Sequence, residues 1–214
     1  MKLYTYFRSS AAYRVRIALN LKGLDYEPVP VHLVRDGGQH RRPEYLELNP
    51  AGLVPALEDA GQVLTQSLAI IEYLDETHPQ QPLLPADALD RARVREIAQM
   101  IACDIHPVNN LRVLQYLGRT LGATEAQRNA WYRHWVELGL AAVETRLARD
   151  ARTGPFCHGD RPGLADCCLV PQVFNARRFD CDLSAMPTVC DIAARCEELE
   201  PFRRAAPMAQ PDVE

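Results

Sequence analysis

The sequence lacks the features that would place the protein in a membrane. It contains no apolar run of about 18 residues, the length that a transmembrane helix needs. No charged-then-apolar segment at the N-terminus indicates a secretory signal. The net charge of −4 provides no general attraction to nucleic acid or to an anionic membrane surface. We therefore expect a cytoplasmic protein that binds neither nucleic acid nor membrane.

Metal and disulfide patterns are also missing. The seven cysteines are an odd number, no two of them form a C-x-x-C pair, and four lie between Cys157 and Cys181. The six histidines show no H-x-x-x-H or similar spacing. These absences argue against a disulfide framework, a zinc site and a dithiol redox motif, so we expect no metal. Cys167 and Cys168 lie in an apolar helical pattern and are predicted to be small core residues.

The composition that is present is typical of a globular protein, with 47% hydrophobic and 24% charged residues in a chain of 214. The first 80 residues alternate strand and helix signals, and they predict the order β-α-β-α-β-β-α. Asp59-Ala60-Gly61 is a hairpin signal between the last two strands. This part of the chain is therefore predicted to be a small α/β unit.

The remainder of the chain is predicted to be helical. Residues 78–87 contain three prolines and are interpreted as a linker between two domains. The predicted apolar stripes of the helices include Val94, Ile97, Ala98 and Ile101 in one helix and Trp131, Trp135, Leu138 and Ala142 in another. The predicted fold class is α/β plus all-α, with domains at 1–80 and 88–214 and a short, loose C-terminal tail.

The most informative stretch reads FRSSAAYRVRIAL. A strand pattern turns there into a helix at Ser9 and Ser10. Two serines at a helix start can cap free backbone N–H groups, and they can also direct hydroxyl groups at an anion held there. Taken alone, the stretch favours an ordinary helix cap with a solvated basic face that carries Arg8, Arg14 and Arg16.

Two later elements favour a ligand site. Val54-Pro55 precedes a predicted strand and is a candidate cis peptide, which would leave the Val54 backbone free to pair with an extended peptide. Gln66 and Ser67 open the next helix, where Ser67 is a natural N-cap and free N–H groups can hold a carboxylate. Together with Ser9, these elements describe a short peptide with a carboxylate at one end and a thiol at the other. Glutathione has that form.

At these residues the chain resembles a known family. The stretches FRSSAAYRVRIAL, LNPAGLVPAL, QSLAIIEYLDE, RARVREIAQMIACDIHPVNNLRVL and LADCCLVPQVFNARRF are similar to zeta-class glutathione transferases of the maleylacetoacetate and maleylpyruvate isomerase group. The resemblance covers almost the whole chain. It implies the glutathione transferase fold, a thioredoxin-like N-terminal domain followed by a helical domain that contributes the substrate site, and a homodimer.

The resemblance also implies roles for individual residues. Ser9 activates the thiol, Ser10 belongs to the same hydroxyl cluster, and Arg8 is the arginine nearest the thiol. The residues implied in glutathione binding are Ser9, Gln39, Val54, Gln66, Ser67, His106 and Asn109. Because a guanidinium holds a carboxylate through two hydrogen bonds, the candidates for binding a dicarboxylate substrate are Arg8, Arg112 and Arg177, in that order, together with Asn110. Ala11 departs from the family, which commonly has cysteine there, so the chemistry must rest on the serines and the helix dipole.

Pro107 should kink its helix and place His106, Asn109 and Asn110 together at the kink. This polar cluster is interpreted either as the wall of a cleft or as a capped kink with satisfied side chains. Arg177 and Arg178 lie at the end of a predicted helix. One of them either faces the substrate or belongs to a solvated helix end.

Gly163-Leu164-Ala165-Asp166 resembles a capping box that has glycine in place of Ser or Thr. Asp166 is predicted to bind the Gly163 N–H in a structural role.

The family implies a glutathione-dependent cis-trans isomerase that converts a maleyl keto acid, maleylacetoacetate, to its fumaryl isomer. Maleylpyruvate is the alternative substrate. A transferase that conjugates or dehalogenates electrophiles such as α-haloacids would share Ser9 without needing the arginines. A binding protein without catalysis would tolerate loss of Ser9. A glutaredoxin-like oxidoreductase is disfavoured because residues 9–12 include no cysteine.

Overall fold

A computed structural model describes residues 1–214, which form two compact units. Unit 1 comprises residues 1–83 together with 198–214, and unit 2 comprises residues 84–197. No helix in either unit is both long and apolar enough to cross a bilayer.

The four strands lie in unit 1. They are Lys2–Thr5 (β1), Glu27–Pro30 (β2), Ala56–Asp59 (β3) and Gln62–Thr65 (β4). They form one sheet in the order β2-β1-β3-β4, in which β1 is parallel to β2 and antiparallel to β3. The predicted hairpin joins β3 and β4: Ala60 and Gly61 both have positive φ, as a two-residue hairpin turn requires.

The α-helices are Ser10–Leu21 (α1), Pro43–Leu48 (α2), Ser67–Thr77 (α3), Ala88–Gln99 (α4), Leu111–Arg119 (α5), Glu125–Ala148 (α6), Leu164–Arg178 (α7), Pro187–Glu197 (α8) and Glu200–Ala205 (α9). The predicted order β-α-β-α-β-β-α of unit 1 is confirmed. Helices α1 and α3 pack on each other in unit 1, and they bury residues such as Ile17 and Ile70. Unit 1 therefore has the predicted thioredoxin-like arrangement, and unit 2 contains helices α4 to α8.

The predicted stripes of unit 2 have different outcomes. Val94, Ile97, Ala98 and Ile101 are buried as predicted, and so are Cys167 and Cys168. The stripe predicted for α6 is wrong, because Leu138 is 57% exposed and neither tryptophan is fully buried. The face of α6 that is buried carries Tyr132, Val136, Leu140, Val143 and Leu147. This second stripe has helical spacing over four turns, so the longer of two competing apolar faces packs inward.

Residues 198–214 group with unit 1, although the sequence suggested that they belong to the helical domain. Asn20 Nδ2 donates to the Pro201 carbonyl at 2.9 Å, and Arg16 Nε donates to the Ala205 carbonyl at 2.9 Å. The apolar periodicity of a helix does not show which domain the helix packs against, so only these contacts assign residues 198–214 to unit 1. The boundaries at 1–80 and 88–214 stay a prediction about the family's domains.

The bond predicted for Asp166 is confirmed. Its buried carboxylate accepts the Gly163 N–H at 2.8 Å with one oxygen and the Cys157 N–H at 2.9 Å with the other. The side chain thereby satisfies the start of α7 and the loop before it, where glycine can supply no hydroxyl.

We expect Asp166→Ala to lower the free energy of unfolding by about 2–4 kcal/mol, because it leaves two N–H groups without an acceptor at a buried site. Urea denaturation measures this loss. Asp182→Ala is the matched control, since Asp182 accepts the Ser184 N–H at 2.9 Å on an exposed loop and should change stability by less than about 0.5 kcal/mol. Equal effects of the two substitutions would contradict the structural role of Asp166.

Candidate functional site

The turn between β1 and α1, residues 6–9, is called the site turn below. Ser9 is the N-cap of α1, and its Oγ accepts the Ala12 N–H at 3.2 Å. Ser10 is the first helical residue and is buried. Capping occupies an acceptor position of the Ser9 oxygen and does not consume its proton, which can be donated to an anion. The predicted cap is thus confirmed, and it lies at the positive end of a 12-residue helix.

Arg8 is held beside this cap. Its NH2 donates to the Tyr6 hydroxyl at 3.0 Å, and its guanidinium carbon lies 4.8 Å from the centre of the Phe7 ring. The side chain is exposed. Stacking on an aromatic face and a single hydrogen bond orient the guanidinium while leaving further donors for a carboxylate or a developing negative charge.

The other two arginines of this stretch do not form a solvated basic face. Arg14 is 2% exposed and Arg16 is not exposed at all. Arg14 NH1 donates to Ser67 Oγ at 3.2 Å, which links α1 to the start of α3. A helical wheel cannot distinguish buried from solvated arginine, because the partners that compensate a buried charge come from distant parts of the chain.

The start of α3 differs in detail from its prediction. Gln66, not Ser67, is the N-cap residue, and it makes no side-chain capping bond. Its φ of 70° is rare for a residue with a side chain, and strain of this kind is concentrated at functional sites. Ser67 is buried as the first helical residue. The helix N-terminus beside Gln66 therefore has the N–H donors that a carboxylate needs.

The Val54-Pro55 peptide bond is cis, as predicted. Val54 precedes β3, and its N–H and carbonyl make no backbone hydrogen bond within the chain. The preceding carbonyl, that of Leu53, is held by the Tyr45 hydroxyl at 2.6 Å and by Asn49 Nδ2 at 2.7 Å. Burial raises the pKa of Tyr45 to about 12, so its hydroxyl remains a donor at neutral pH. The backbone at Val54 is thus fixed and available to an extended peptide.

An apolar cluster joins these elements. Tyr6, Phe7, Val31, Tyr45 and Val54 pack together as buried side chains. The cluster brings the site turn against the Val54 segment, and the bond from Arg14 to Ser67 ties the same helix to α3. Unit 1 therefore unites the three elements from which the sequence suggested glutathione.

Gln39 lies in a short 3-10 turn that borders a pocket of about 350 Å³. Its Oε1 accepts the His32 N–H at 2.8 Å, so the side-chain oxygen holds the loop while the amide NH₂ remains a donor. The same pocket is lined by Arg35 and by Glu214, and Glu214 pairs with both Arg35 and His32. The glycyl role of Gln39 stays a prediction.

The polar cluster predicted in unit 2 is assembled at a break in the helix. Residues Met100–Ile105 form a π-helical segment, Pro107–Asn109 a 3-10 turn, and α5 starts afterwards. Asn110 Nδ2 lies 3.4 Å from His106 Nε2, and Asn110 Oδ1 accepts the Arg112 N–H at 3.2 Å. The predicted kink at Pro107 is confirmed, and Asn110 is the cap of the helix that follows it.

Asn109 keeps an unused polar atom in this cluster. Its side chain is buried, Nδ2 lies 3.5 Å from the Ile105 carbonyl, and Oδ1 has no hydrogen-bond partner in the chain. Buried polar atoms are rarely left without a partner unless a ligand or water supplies one. The capped kink is therefore confirmed at Asn110, while the interpretation of this cluster as the wall of a cleft stays a prediction, for which Asn109 offers an acceptor.

The arginines of unit 2 that the sequence suggested for substrate binding are exposed. Arg177 NH1 lies 2.8 Å from Glu197 Oε1 and 3.0 Å from Oε2, and Arg178 stacks on Phe179 with 4.8 Å to the ring centre. Arg112 is exposed on the first turn of α5. Substrate binding by Arg112 and Arg177 stays a prediction.

The residues of unit 1 fit glutathione. The serine hydroxyl at the start of α1 matches the thiol of glutathione. The unpaired backbone at Val54 matches its peptide, and the helix N-terminus at Gln66 matches its γ-glutamyl carboxylate. Supporting contacts from Arg14, Tyr45 and Asn49 were not predicted. The partner of Arg14 lies 53 residues away, and the bonds from Tyr45 and Asn49 to the nearby Leu53 carbonyl depend on how the loop folds.

Comparisons with known proteins agree with this geometry. Residues 3–82 match the family model of the glutathione S-transferase N-terminal domain. The maleylacetoacetate isomerase of Pseudomonas aeruginosa is 54% identical over 214 residues, which are 100% of this chain and 99% of that protein.

Two solved structures are also similar over the full length of both chains. A maleylpyruvate isomerase described as a bacterial zeta-class glutathione S-transferase is 52% identical with a TM-score of 0.97. A maleylacetoacetate isomerase of Methylobacterium extorquens with bound malonate and glutathione is 44% identical with a TM-score of 0.96. With this identity and coverage, the chain belongs to the zeta-class glutathione transferases, in the group of maleylacetoacetate and maleylpyruvate isomerases.

Proposed function

We propose that this protein is a glutathione-dependent cis-trans isomerase that converts maleylacetoacetate to its fumaryl isomer. The observation that carries the proposal is the Ser9 cap at the positive end of α1, with Arg8 held next to it on the site turn. The first group favours a thiolate and the second binds a carboxylate or enolate oxygen. A relative that carries the name maleylacetoacetate isomerase, and whose solved structure contains glutathione and malonate, supports the same pair of ligands.

Ser9 is proposed to activate the thiol. A free thiol has a pKa near about 8.5 and is mostly protonated at neutral pH. The Ser9 O–H and the N-terminus of α1 favour the charged form and lower that pKa. Bound glutathione supplies a thiolate nucleophile whose reversible addition to the conjugated double bond allows rotation about it. Ser10 is the neighbouring hydroxyl that could share this role, and Ala11 contributes no thiol of its own.

Other residues are proposed to hold the rest of glutathione. Gln66 and Ser67 bind the γ-glutamyl group at the start of α3, and the Val54 backbone pairs with the cysteinyl unit. Gln39 is proposed for the glycyl end. His106 and Asn109 of unit 2 are further candidates, and the unpartnered Oδ1 of Asn109 supports including it.

Arginines are proposed to bind the substrate because it carries two carboxylates and develops enolate charge. Their planar fork holds a carboxylate through two hydrogen bonds. Arg8 is the first candidate, and Arg112 and Arg177 are the next, with Asn110 as a polar partner. Because members of the family are usually homodimers, we also propose that this protein is a homodimer, and that it is located in the cytoplasm.

Maleylpyruvate is the alternative substrate. It differs from maleylacetoacetate in the length of its keto-acid tail, and relatives named for each substrate resemble this chain to nearly the same degree. A transferase that acts on α-haloacids or other electrophiles is a second alternative. It would use Ser9 equally, and Arg8 would matter only for an electrophile that carries a carboxylate, as an α-haloacid does.

The test follows the absorbance of maleylacetoacetate and of maleylpyruvate with enzyme, with and without glutathione. We expect loss of absorbance with at least one substrate only when glutathione is present. S-methylglutathione, whose sulfur cannot form a thiolate, is the matched control and should not support the reaction. If neither keto acid is isomerised in the presence of glutathione, the proposed function is wrong.

A further inference from the structure

The backbone of the site turn is held by side chains rather than by the sheet. One hydrogen bond lies within the turn, from the Ser9 N–H to the Tyr6 carbonyl at 2.9 Å. The Phe7 carbonyl accepts from Arg16 NH2 at 3.0 Å, and the Phe7 N–H donates to Asp212 Oδ2 at 2.9 Å. Phe7 is buried, so its N–H depends on this one carboxylate.

Arg16 braces the same turn from beneath. NH1 donates to Thr5 Oγ1 at 2.9 Å and to the Tyr6 carbonyl at 3.3 Å, and Nε donates to the Ala205 carbonyl. Desolvation lowers the pKa of Arg16 to about 10, and the charge of Asp212 acts against this shift. Arg16 is therefore still charged at neutral pH, and the carboxylate of Asp212 favours its charged form.

The segment that carries Asp212 is ordered and not the loose tail expected from its composition. Helix α9 is followed by the 3-10 turn Pro207–Ala209, and Pro207 and Gln210 are buried. Gln210 Nε2 donates to the Arg204 carbonyl at 2.8 Å and to the Ala206 carbonyl at 3.0 Å. These bonds fix the chain immediately before Asp212, so its carboxylate reaches the turn from a rigid support.

We propose that Asp212 is a positioning residue for catalysis: by holding the Phe7 N–H, its carboxylate fixes the site turn that presents Arg8 and Ser9. The effect on catalysis rests on the proposed function, in which Ser9 acts on the thiol and Arg8 on the substrate. The residue lies 205 positions from Phe7, and the role proposed for it is to hold the turn rather than to bind either ligand.

The test compares Asp212→Ala with Asp212→Asn. Both substitutions remove the negative charge, but only asparagine keeps an oxygen at the position that accepts the Phe7 N–H. A difference between the two variants therefore reports the hydrogen bond and not the charge. Asp182→Ala, which removes a carboxylate from the Ser184 N–H elsewhere, is the control and should match the unsubstituted protein. If Asp212→Ala does not fold, Asp212→Glu replaces it, because one added methylene displaces the carboxylate without removing it.

Three readouts decide the proposal. Amide hydrogen exchange followed by NMR should be about tenfold faster at Phe7 in Asp212→Ala than in Asp212→Asn. The isomerisation kcat/KM should be about tenfold lower in Asp212→Ala than in Asp212→Asn. Displacing a reacting group by about 1 Å can lower the rate about 100-fold, and a smaller displacement of the turn should have a smaller effect. The pKa of the bound glutathione thiol, read from thiolate absorbance, should be higher in Asp212→Ala than in Asp212→Asn. A purely structural residue would lower the melting temperature without moving this pKa.

Equal exchange at Phe7 in the two variants overturns the proposal. Faster exchange with equal kcat/KM and equal thiol pKa also overturns it. If the unsubstituted protein binds glutathione but isomerises neither keto acid, the proposed function fails, and the exchange rates and thiol pKa still decide the role of Asp212.

Discussion

Replacing Ser9 by alanine is expected to lower kcat of the isomerisation by about 100-fold, the typical effect of removing one hydrogen-bond donor from a developing or bound anion. The substitution removes the O–H that stabilises the thiolate, so the pKa of the bound thiol should rise toward about 8.5. Because the thiolate is the reactive form, the loss should be largest at low pH and should shrink as the pH rises above that value. Initial rates measured from pH 6 to pH 9, together with thiolate absorbance, test both parts.

Ser9→Ala also removes the cap of α1, which costs about 1 kcal/mol of stability. Thr124→Ala is the matched control, because Thr124 caps α6 through the Gln127 N–H at 3.3 Å. It should cost similar stability and leave the thiol pKa unchanged. If Ser9→Ala retains full activity and Ser10→Ala does not, the activating hydroxyl is that of Ser10.

Replacing Arg8 by alanine is expected to lower kcat/KM for the keto acid by about 100-fold to 1,000-fold. The guanidinium is proposed to bind a substrate carboxylate or the enolate oxygen, and losing a charged donor at such a position has effects of this size. The affinity for glutathione should be unchanged, since Arg8 is assigned to the substrate. Steady-state kinetics with the keto acid and a binding titration with glutathione separate the two quantities.

The control for Arg8 is Arg203→Ala. Arg203 is an exposed arginine paired with Glu200, and its loss should leave kcat/KM unchanged. A further comparison uses an electrophile without a carboxylate, whose reaction with glutathione should proceed at the same rate in Arg8→Ala. If Arg8→Ala and Arg203→Ala behave alike toward the keto acid, substrate recognition belongs to Arg112 or Arg177 instead.

Local signals predicted much of unit 1 and of its site. The N-cap at Ser9, the hairpin at Ala60-Gly61 and the cis bond before Pro55 depend on the conformational preferences of a few adjacent residues. The helix interrupted at Pro107 follows from the missing N–H of proline. Each of these features is decided within a few residues, which is the range over which sequence patterns operate.

Features that depend on a distant partner were missed or mistaken. Arg14 and Arg16 were interpreted as part of a solvated face, because two of their acceptors, the Ser67 hydroxyl and the Ala205 carbonyl, lie far along the chain. The other acceptors of Arg16 lie nearby at residues 5–7, but only the folded turn directs them at the guanidinium. Helix α6 has two apolar faces, and the sequence does not show which of them is buried. Packing buries the face that carries Val136. Choosing among such alternatives requires the neighbours that compensate a buried charge or fill a core.

The sequence by itself determined the family, the order of elements in unit 1 and the residues that match a glutathione site, since these follow from local conformation and from motifs along the whole chain. Tertiary structure alone decided that residues 198–214 pack in unit 1 and that Asp212 holds the turn at Phe7. The physical reason is that a buried N–H group demands an acceptor but does not specify where in the chain it comes from.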